Sequence, residues 1–377
     1  MTQTMDSTPD LLGDARLPDD ELAEMVSTAL HREVAVARWV VEPVAYEAGS
    51  PATAALLRVR GCTTDGENWS VFLKVLQHPR HWSGLDRVPV HVRAEFTDSF
   101  PWRAELAAWD PEFLAALPEG LRVPRLYRQV ELPDERVAVW MQDVAVSDER
   151  WSVQRFVSAA RLLGQLAANR CDAELLAGCG VPAGYGVRKY VDGPVTGALF
   201  ALRDTAVWRH PSLDTRLGRQ VRGELLELSP QVPAILDLLD GLPQALPHGD
   251  ASPQNLLVPR DDPDSLVAID IAFQCPLAIG SDLAQLLVGL VHAGEMPVQQ
   301  LPEIHAALAP AFTAGFAAGW GSVRLDDVRA AEIGNLVVRS AFTSIPFDRL
   351  DRTPAAEIAS RLDLSRFIVE LAGQLPL

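Results

Sequence analysis

ALPHGDASPQNLLVP, from Ala245 to Pro259, sets a His, an Asp and an Asn in one short loop marked by Gly249 and Pro253, then runs into Leu256, Leu257 and Val258. A loop that only reverses the chain needs little beyond the Gly and the Pro. This one adds Asp250 and Asn255, side chains that handle protons or hard cations. After the turn RDDPDS comes a second apolar run, LVAID, which ends in Asp270. The two runs read as a β-hairpin with Asp250 and Asn255 at its entrance and Asp270 at its exit. The two ends of a hairpin are spatial neighbours, so the three oxygen-bearing side chains are expected to converge. Carboxylate plus amide oxygen is hard-cation chemistry, suited to Mg²⁺ with bound phosphates.

Composition narrows the setting. The chain of 377 residues is 48% apolar and 22% charged, which fits a globular protein with two lobes or domains. No apolar run approaches the ~18 residues a membrane span needs. The first residues show no basic stretch followed by an apolar block, so no signal peptide is expected. Cys62, Cys171, Cys179 and Cys275 form neither a Cys-x-x-Cys pair nor a disulfide framework. A cytoplasmic location is the expectation. The formal charge of −17 argues against a phosphate-backbone-binding surface and so against nucleic acid as partner, and it is compatible with a cationic small molecule. The chain has 31 Arg and only two Lys, Lys74 and Lys189. Where Arg is used almost everywhere, a retained Lys points to a need for a compact ammonium, and Lys74 lies inside the apolar run WSVFLKVL.

Along the chain, DDELAEMVSTALHRE (Asp19 to Glu33) carries apolar residues at helical spacing. VAVARWVVEPVAY, TAALLRVRGCT and WSVFLKVL read as strands, the last two joined by a turn at Asp65-Gly66. Residues 77–101 read as an inserted loop. Trp102 to Leu117 reads as a helix, followed by the strands VPRLYRQVEL and RVAVWMQDV. After Asp143 the texture turns helical, beginning with Val153 to Arg170. The expected division is residues 1–143, rich in strands, and residues 144–377, mostly helical and containing the opening loop.

His248-Gly249-Asp250 with Asn255 resembles the His-x-Asp-x4-Asn catalytic loop of the kinase fold, in the His-Gly-Asp form of the aminoglycoside phosphotransferase-like small-molecule kinases. Asp270 resembles the metal-binding Asp that protein kinases carry in Asp-Phe-Gly, although Ile271-Ala272 follows it here. Lys74 resembles the strand Lys that holds the α- and β-phosphates, and Glu105 its ion-pair partner, with Glu95 as a rival carboxylate. VAVWMQDV (Val137 to Val144) resembles the strand entering the interlobe hinge, which makes Gln142 and Val144 candidates for backbone contacts to a purine. Gly49 and Ser50, in YEAGSPAT, stand where the nucleotide-covering loop is expected, without a Gly-x-Gly-x-x-Gly pattern. Asp282, in GSDLAQLL, resembles an anchor after the metal site.

The resemblance implies an α+β, bilobal protein kinase-like fold. It would have an antiparallel N-lobe sheet with one helix and a larger helical C-lobe that also holds the acceptor-substrate site. It implies ATP or GTP as phosphoryl donor, with Asp250 as catalytic base, Asn255 and Asp270 on Mg²⁺, and Lys74 with Glu105 on the nucleotide. The acceptor is expected to be a hydroxylated small molecule: an antibiotic, as in antibiotic resistance, a sugar-like metabolite or an amino alcohol. Glu295, Asp326, Asp327 and Glu332 are acidic candidates for attracting an amino-sugar. A pseudokinase-like binding protein is the alternative that the glycine-poor loop keeps open. A protein-directed kinase fits less well, because the chain lacks an Asp-Phe-Gly glycine and a segment ending in Ala-Pro-Glu.

Overall fold

The computed structural model describes residues 11–45, 50–181, 183–271, 275–319 and 321–377. The chain divides into two compact units, Met1–Asp110 with Val123–Val146, and Pro111–Arg122 with Ser147–Leu377. The architecture is α+β, with an antiparallel sheet in the first unit and a helical second unit.

The first unit is built on a five-stranded sheet. Its strands are β1 (Val36–Pro43), β2 (Thr53–Thr63) and β3 (Asn68–Gln77), then β5 (Leu126–Leu132) and β6 (Arg136–Gln142), in the order β1-β2-β3-β6-β5 with antiparallel neighbours. Strand β4 (Leu121–Arg122) belongs to the second unit. Side chains alternate between the faces of a sheet, so β3 divides its residues. Val71, Leu73 and Val75 join Leu57, Val59 and Trp140 in a core covered by Leu22, Met25 and Val26 of the helix Asp19–Ala29. Leu76 faces the other way, in a cluster with Val137, Val139 and Met141 against which Phe72, Trp102, Leu106 and Trp109 pack. Lys74 shares this second face by parity with Phe72 and Leu76.

Two sequence expectations are corrected over residues 77–117. Residues 77–101 are not a plain loop: they form short 3-10 turns and an α-helix at Arg93–Ser99. The helix expected over Trp102 to Leu117 is broken into a 3-10 helix at Ala104–Trp109 and a short α-helix at Pro111–Ala116. The break falls at Asp110, which is extended at φ −66°, ψ 140°. Pro111 explains it, since a proline ring pushes the residue before it out of helical conformation and has no N–H to give.

In the second unit the strands are minor: β4 pairs parallel with β9 (Leu266–Ala268), which pairs antiparallel with β8 (Leu256–Leu257), and β7 (Gln244–Ala245) pairs with β10 (Leu277–Ala278). The bulk is helical, with Val153–Asn169 packed along Leu301–Ala318, and Asp282–His292 buried along nearly its whole length. Among the described residues no helix is long and apolar enough to cross a membrane. The four cysteines are unpaired by disulfides, and Cys275 is buried.

Candidate active site

In the sheet unit, Lys74 stands on the central strand, opposite Leu56 on β2 and Val139 on β6. Its Nζ lies 2.6 Å from Glu105 Oε2. Glu105 comes from the 3-10 helix that lays Leu106 and Trp109 on the same face of the sheet. Lys74 is 7% exposed and Glu105 8%, so the pair is formed away from bulk water. Glu95 stands on the separate helix Arg93–Ser99 and is exposed. Gln142 ends β6, and its N–H is already committed to the Arg125 carbonyl at 2.8 Å. Asp143 is held by both carboxylate oxygens on Arg58 Nε, at 3.0 and 2.8 Å, and also accepts from Ser70 Oγ. Val144 follows just past the strand. Ser50 makes a tight turn, with its Oγ accepting from Ala52 N at 3.3 Å and its carbonyl from Thr53 N at 3.3 Å. Gly49 lies outside the described residues.

In the helical unit the opening loop is built around Asp250. The β8–β9 ladder pairs Leu256 with Ala268, and Ile269 N–H donates to the Asn255 carbonyl at 3.0 Å. That pairing brings Asn255 and Asp270 to one end of the hairpin. The strand is shorter than LVAID suggests: β9 stops at Ala268, and Asp270 adopts the left-handed region at φ 56°. A non-glycine there is strained and needs its surroundings to hold it. Asn255 Nδ2 donates to the Asp250 carbonyl at 2.9 Å and to Asp250 Oδ2 at 3.2 Å. With the amide nitrogen so committed, Asn255 Oδ1 is the end left for a cation. The described residues contain no cluster of three or more His, Cys, Asp or Glu suited to a metal. Asn255 Oδ1 and the Asp270 carboxylate would offer oxygen donors, the ligand type of hard cations.

The loop is anchored from below by the helix Asp282–His292. Asp282 accepts the N–H groups of His248, at 3.0 Å, and Gly249, at 2.8 Å, through its two oxygens. Burial pushes the Asp282 carboxyl above the ordinary carboxylate range, against the pull of His248 and of those two N–H groups. Gly249 turns at φ 86°, where a side chain would be strained. The loop then lies close on Gly289, where a Cβ would come within 2.7 Å of Pro253 Cδ. Gln254 Nε2 adds a bond of 3.2 Å to the Gly289 carbonyl.

Sequence reasoning did not single out Arg339. Its Nη1 donates to the Gly249 carbonyl at 2.8 Å and its Nη2 to Asp250 Oδ1 at 3.0 Å. The signal was present: Arg339 interrupts the apolar helical run NLVVRSAF, much as Lys74 interrupts WSVFLKVL. The acidic candidates for attracting an acceptor are mostly engaged elsewhere. Glu332 is fully buried with an oxygen 2.7 Å from His305 Nδ1, and Asp327 pairs with Arg324 at 2.7 Å. Asp326 lies 3.9 Å from Arg329.

No protein-family model matches the chain, and no curated protein sequence matches it. Solved structures of small-molecule kinases and phosphotransferases do resemble it. An amicoumacin kinase in complex with AMP-PNP and Ca²⁺ matches at TM-score 0.49 and 13% identity, over 96% of this chain and 96% of that one. An ethanolamine kinase from Plasmodium vivax matches at TM-score 0.47 and 11% identity, over 89% and 83%. An aminoglycoside-3'-phosphotransferase of type VIII matches at TM-score 0.39 and 22% identity, over 79% and 93%. At these identities the functional reading rests on the side chains themselves.

Proposed function

We propose that this chain is a small-molecule kinase of the aminoglycoside phosphotransferase-like family, moving the γ-phosphoryl group of ATP or GTP to a hydroxyl of a small molecule. The observation that carries the reading is the loop in which Asp250 is fixed by Asn255 while Asn255 shares a hairpin end with Asp270. Asp250 accepts and orients the hydroxyl proton as the oxygen turns nucleophile. Asn255 and Asp270 hold Mg²⁺, which when bound offsets phosphate charge. Lys74, kept in place by Glu105, neutralises the α- and β-phosphates. Val144, with Gln142 before it, offers backbone to the purine, and Gly49 and Ser50 cover the phosphates. Phosphoryl transfer asks little covalent chemistry of a protein, so positioning and electrostatics supply most of the acceleration.

The acceptor is a hydroxylated small molecule. With Glu332, Asp327 and Asp326 engaged elsewhere, the overall acidity of the chain is weak support for a polycationic one. The test is a pool of hydroxylated compounds, including aminoglycosides, sugars and amino alcohols, incubated with MgATP or MgGTP and read by mass spectrometry. A phosphorylated product dependent on protein and nucleotide is expected. Nucleotide binding with no phosphorylated product from any member would replace the kinase by a nucleotide-binding protein without turnover.

A further inference from the structure

Arg339 donates to two acceptors on the turn that carries Asp250. One guanidinium nitrogen grips the Gly249 carbonyl and the other grips Asp250 Oδ1. The second carboxylate oxygen, Oδ2, is met by Asn255 Nδ2. Each oxygen of Asp250 thus has one fixed neighbour, which sets the plane of the carboxylate and leaves lone pairs on both oxygens for an incoming hydroxyl. The Arg339 side chain is 13% exposed and that of Asp250 29%, so the clamp sits behind the acid and the acid keeps an open side.

The clamp is itself built. Arg339 lies in the π-helical turn Val337–Ala341, a widened turn of the kind found in helices at functional sites. The Tyr190 ring backs the guanidinium, with Arg339 Cζ 5.5 Å from the ring centroid. Tyr190 Oη is in turn 3.5 Å from Thr343 Oγ1, and Thr343 Oγ1 donates to the Arg339 carbonyl. A planar fork satisfies two separate acceptors at once, whereas an ammonium acts as a point charge.

We propose that Arg339 is a positioning residue for phosphoryl transfer, holding the Asp250 carboxylate at the angle from which it meets the acceptor hydroxyl. This rests on the kinase reading above. The test forms nucleoside diphosphate from MgATP or MgGTP in the presence of the acceptor pool, for the wild type, Arg339→Met, Arg339→Lys, Asp250→Asn and the double variant Asp250→Asn/Arg339→Met. Binding of a non-hydrolysable ATP analogue is measured alongside. Misplacing a reacting group by about an ångström costs ~10²-fold, so Arg339→Met should lose kcat on that order with the nucleotide Kd unchanged. Arg339→Lys, the variant that keeps the charge if Met disturbs folding, should fall between the two. In the Asp250→Asn background the Arg339 change should add no further loss, because residues acting as a unit are non-additive. An additive loss, or a weaker nucleotide Kd that accounts for the whole effect, overturns the clamp. An active wild type with an equally active Arg339→Met overturns the clamp alone. A wild type that binds nucleotide and forms no diphosphate removes the kinase reading and the clamp together.

Discussion

Lys74 and Asp250 are charged groups set among apolar chain, and the two units hold them by different means. Lys74 stands on the middle strand of a sheet, where hydrogen-bonded neighbours on both sides fix its backbone and Glu105 meets its ammonium. Asp250 stands in a loop outside any ladder. Its place is set by Asn255 beside it, by Asp282 bonding the two residues before it, and by Arg339. A strand supplies position through backbone pairing, and Glu105 adds a charge partner to the placed side chain. A loop must borrow its position, and Asp250 draws it from segments as far as 89 residues away.

The comparison breaks first at the end of the loop where Asn255 and Asp270 are proposed to hold Mg²⁺. Asp270→Ala is expected to abolish Mg²⁺-dependent binding of ATP or GTP, while Asp282→Ala keeps binding and lowers the melting temperature. Asp282 supports backbone N–H groups, and Asp270 is the carboxylate beside Asn255. Calorimetric titration of Mg-nucleotide with melting curves decides it, and equal loss of binding at equal melting points would mean the two roles are wrongly divided.

On the sheet side the effects should be large but confined to a pair. Lys74→Arg is expected to weaken turnover strongly, because the buried site holds a compact ammonium against the Glu105 carboxylate. Glu105→Gln breaks the buried Lys74–Glu105 ion pair, a change typically costing about 3–5 kcal/mol. It should also impair turnover, yet add little in the Lys74→Arg background. Glu95→Gln and Lys189→Arg should be close to silent. A harmful Glu95→Gln beside a harmless Glu105→Gln would move the functional carboxylate to the helix Arg93–Ser99.

The smallest effect concerns the ground beneath the loop. Burial, with Arg361 and Arg339 nearby, holds His292 down to about 3 from its ordinary 6.5. Its folded-state pKa lies below the unfolded one, so the unfolded chain takes up a proton first as pH falls. Stability is unaffected by this group above 6.5 and is lost between 6.5 and about 3. The slope is at most about 1.4 kcal/mol per pH unit. Denaturant unfolding against pH should show a shallower acid decline in His292→Gln, and identical slopes would remove His292 as a source of acid sensitivity.

What could be read in advance follows the same division. The strands of the sheet were visible because alternation and apolar runs write the register directly, and Lys74 stood out as one of two lysines. The Asp250, Asn255 and Asp270 set was visible because it lies along one continuous hairpin. The local shape around Glu105 was misread, since Trp102 to Leu117 carries helical composition and the break depends on Pro111 alone. Arg339 was passed over because Arg is abundant here and because nothing local to NLVVRSAF reveals contact with a loop so distant. Asp282 was legible as an anchor, but its two N–H partners across the fold were not.

The central claim is that Asp250 is the base of a phosphoryl transfer. The measurement that reaches it most directly compares Asp250→Asn with the wild type in turnover and in binding of a non-hydrolysable Mg-nucleotide. Asn keeps the size of the side chain and removes the charge that accepts the proton. The account predicts intact folding, near-normal nucleotide binding and a loss of turnover of ~10²–10⁴-fold, the usual worth of a general base. A folded Asp250→Asn protein that turns over at close to the wild-type rate would contradict it.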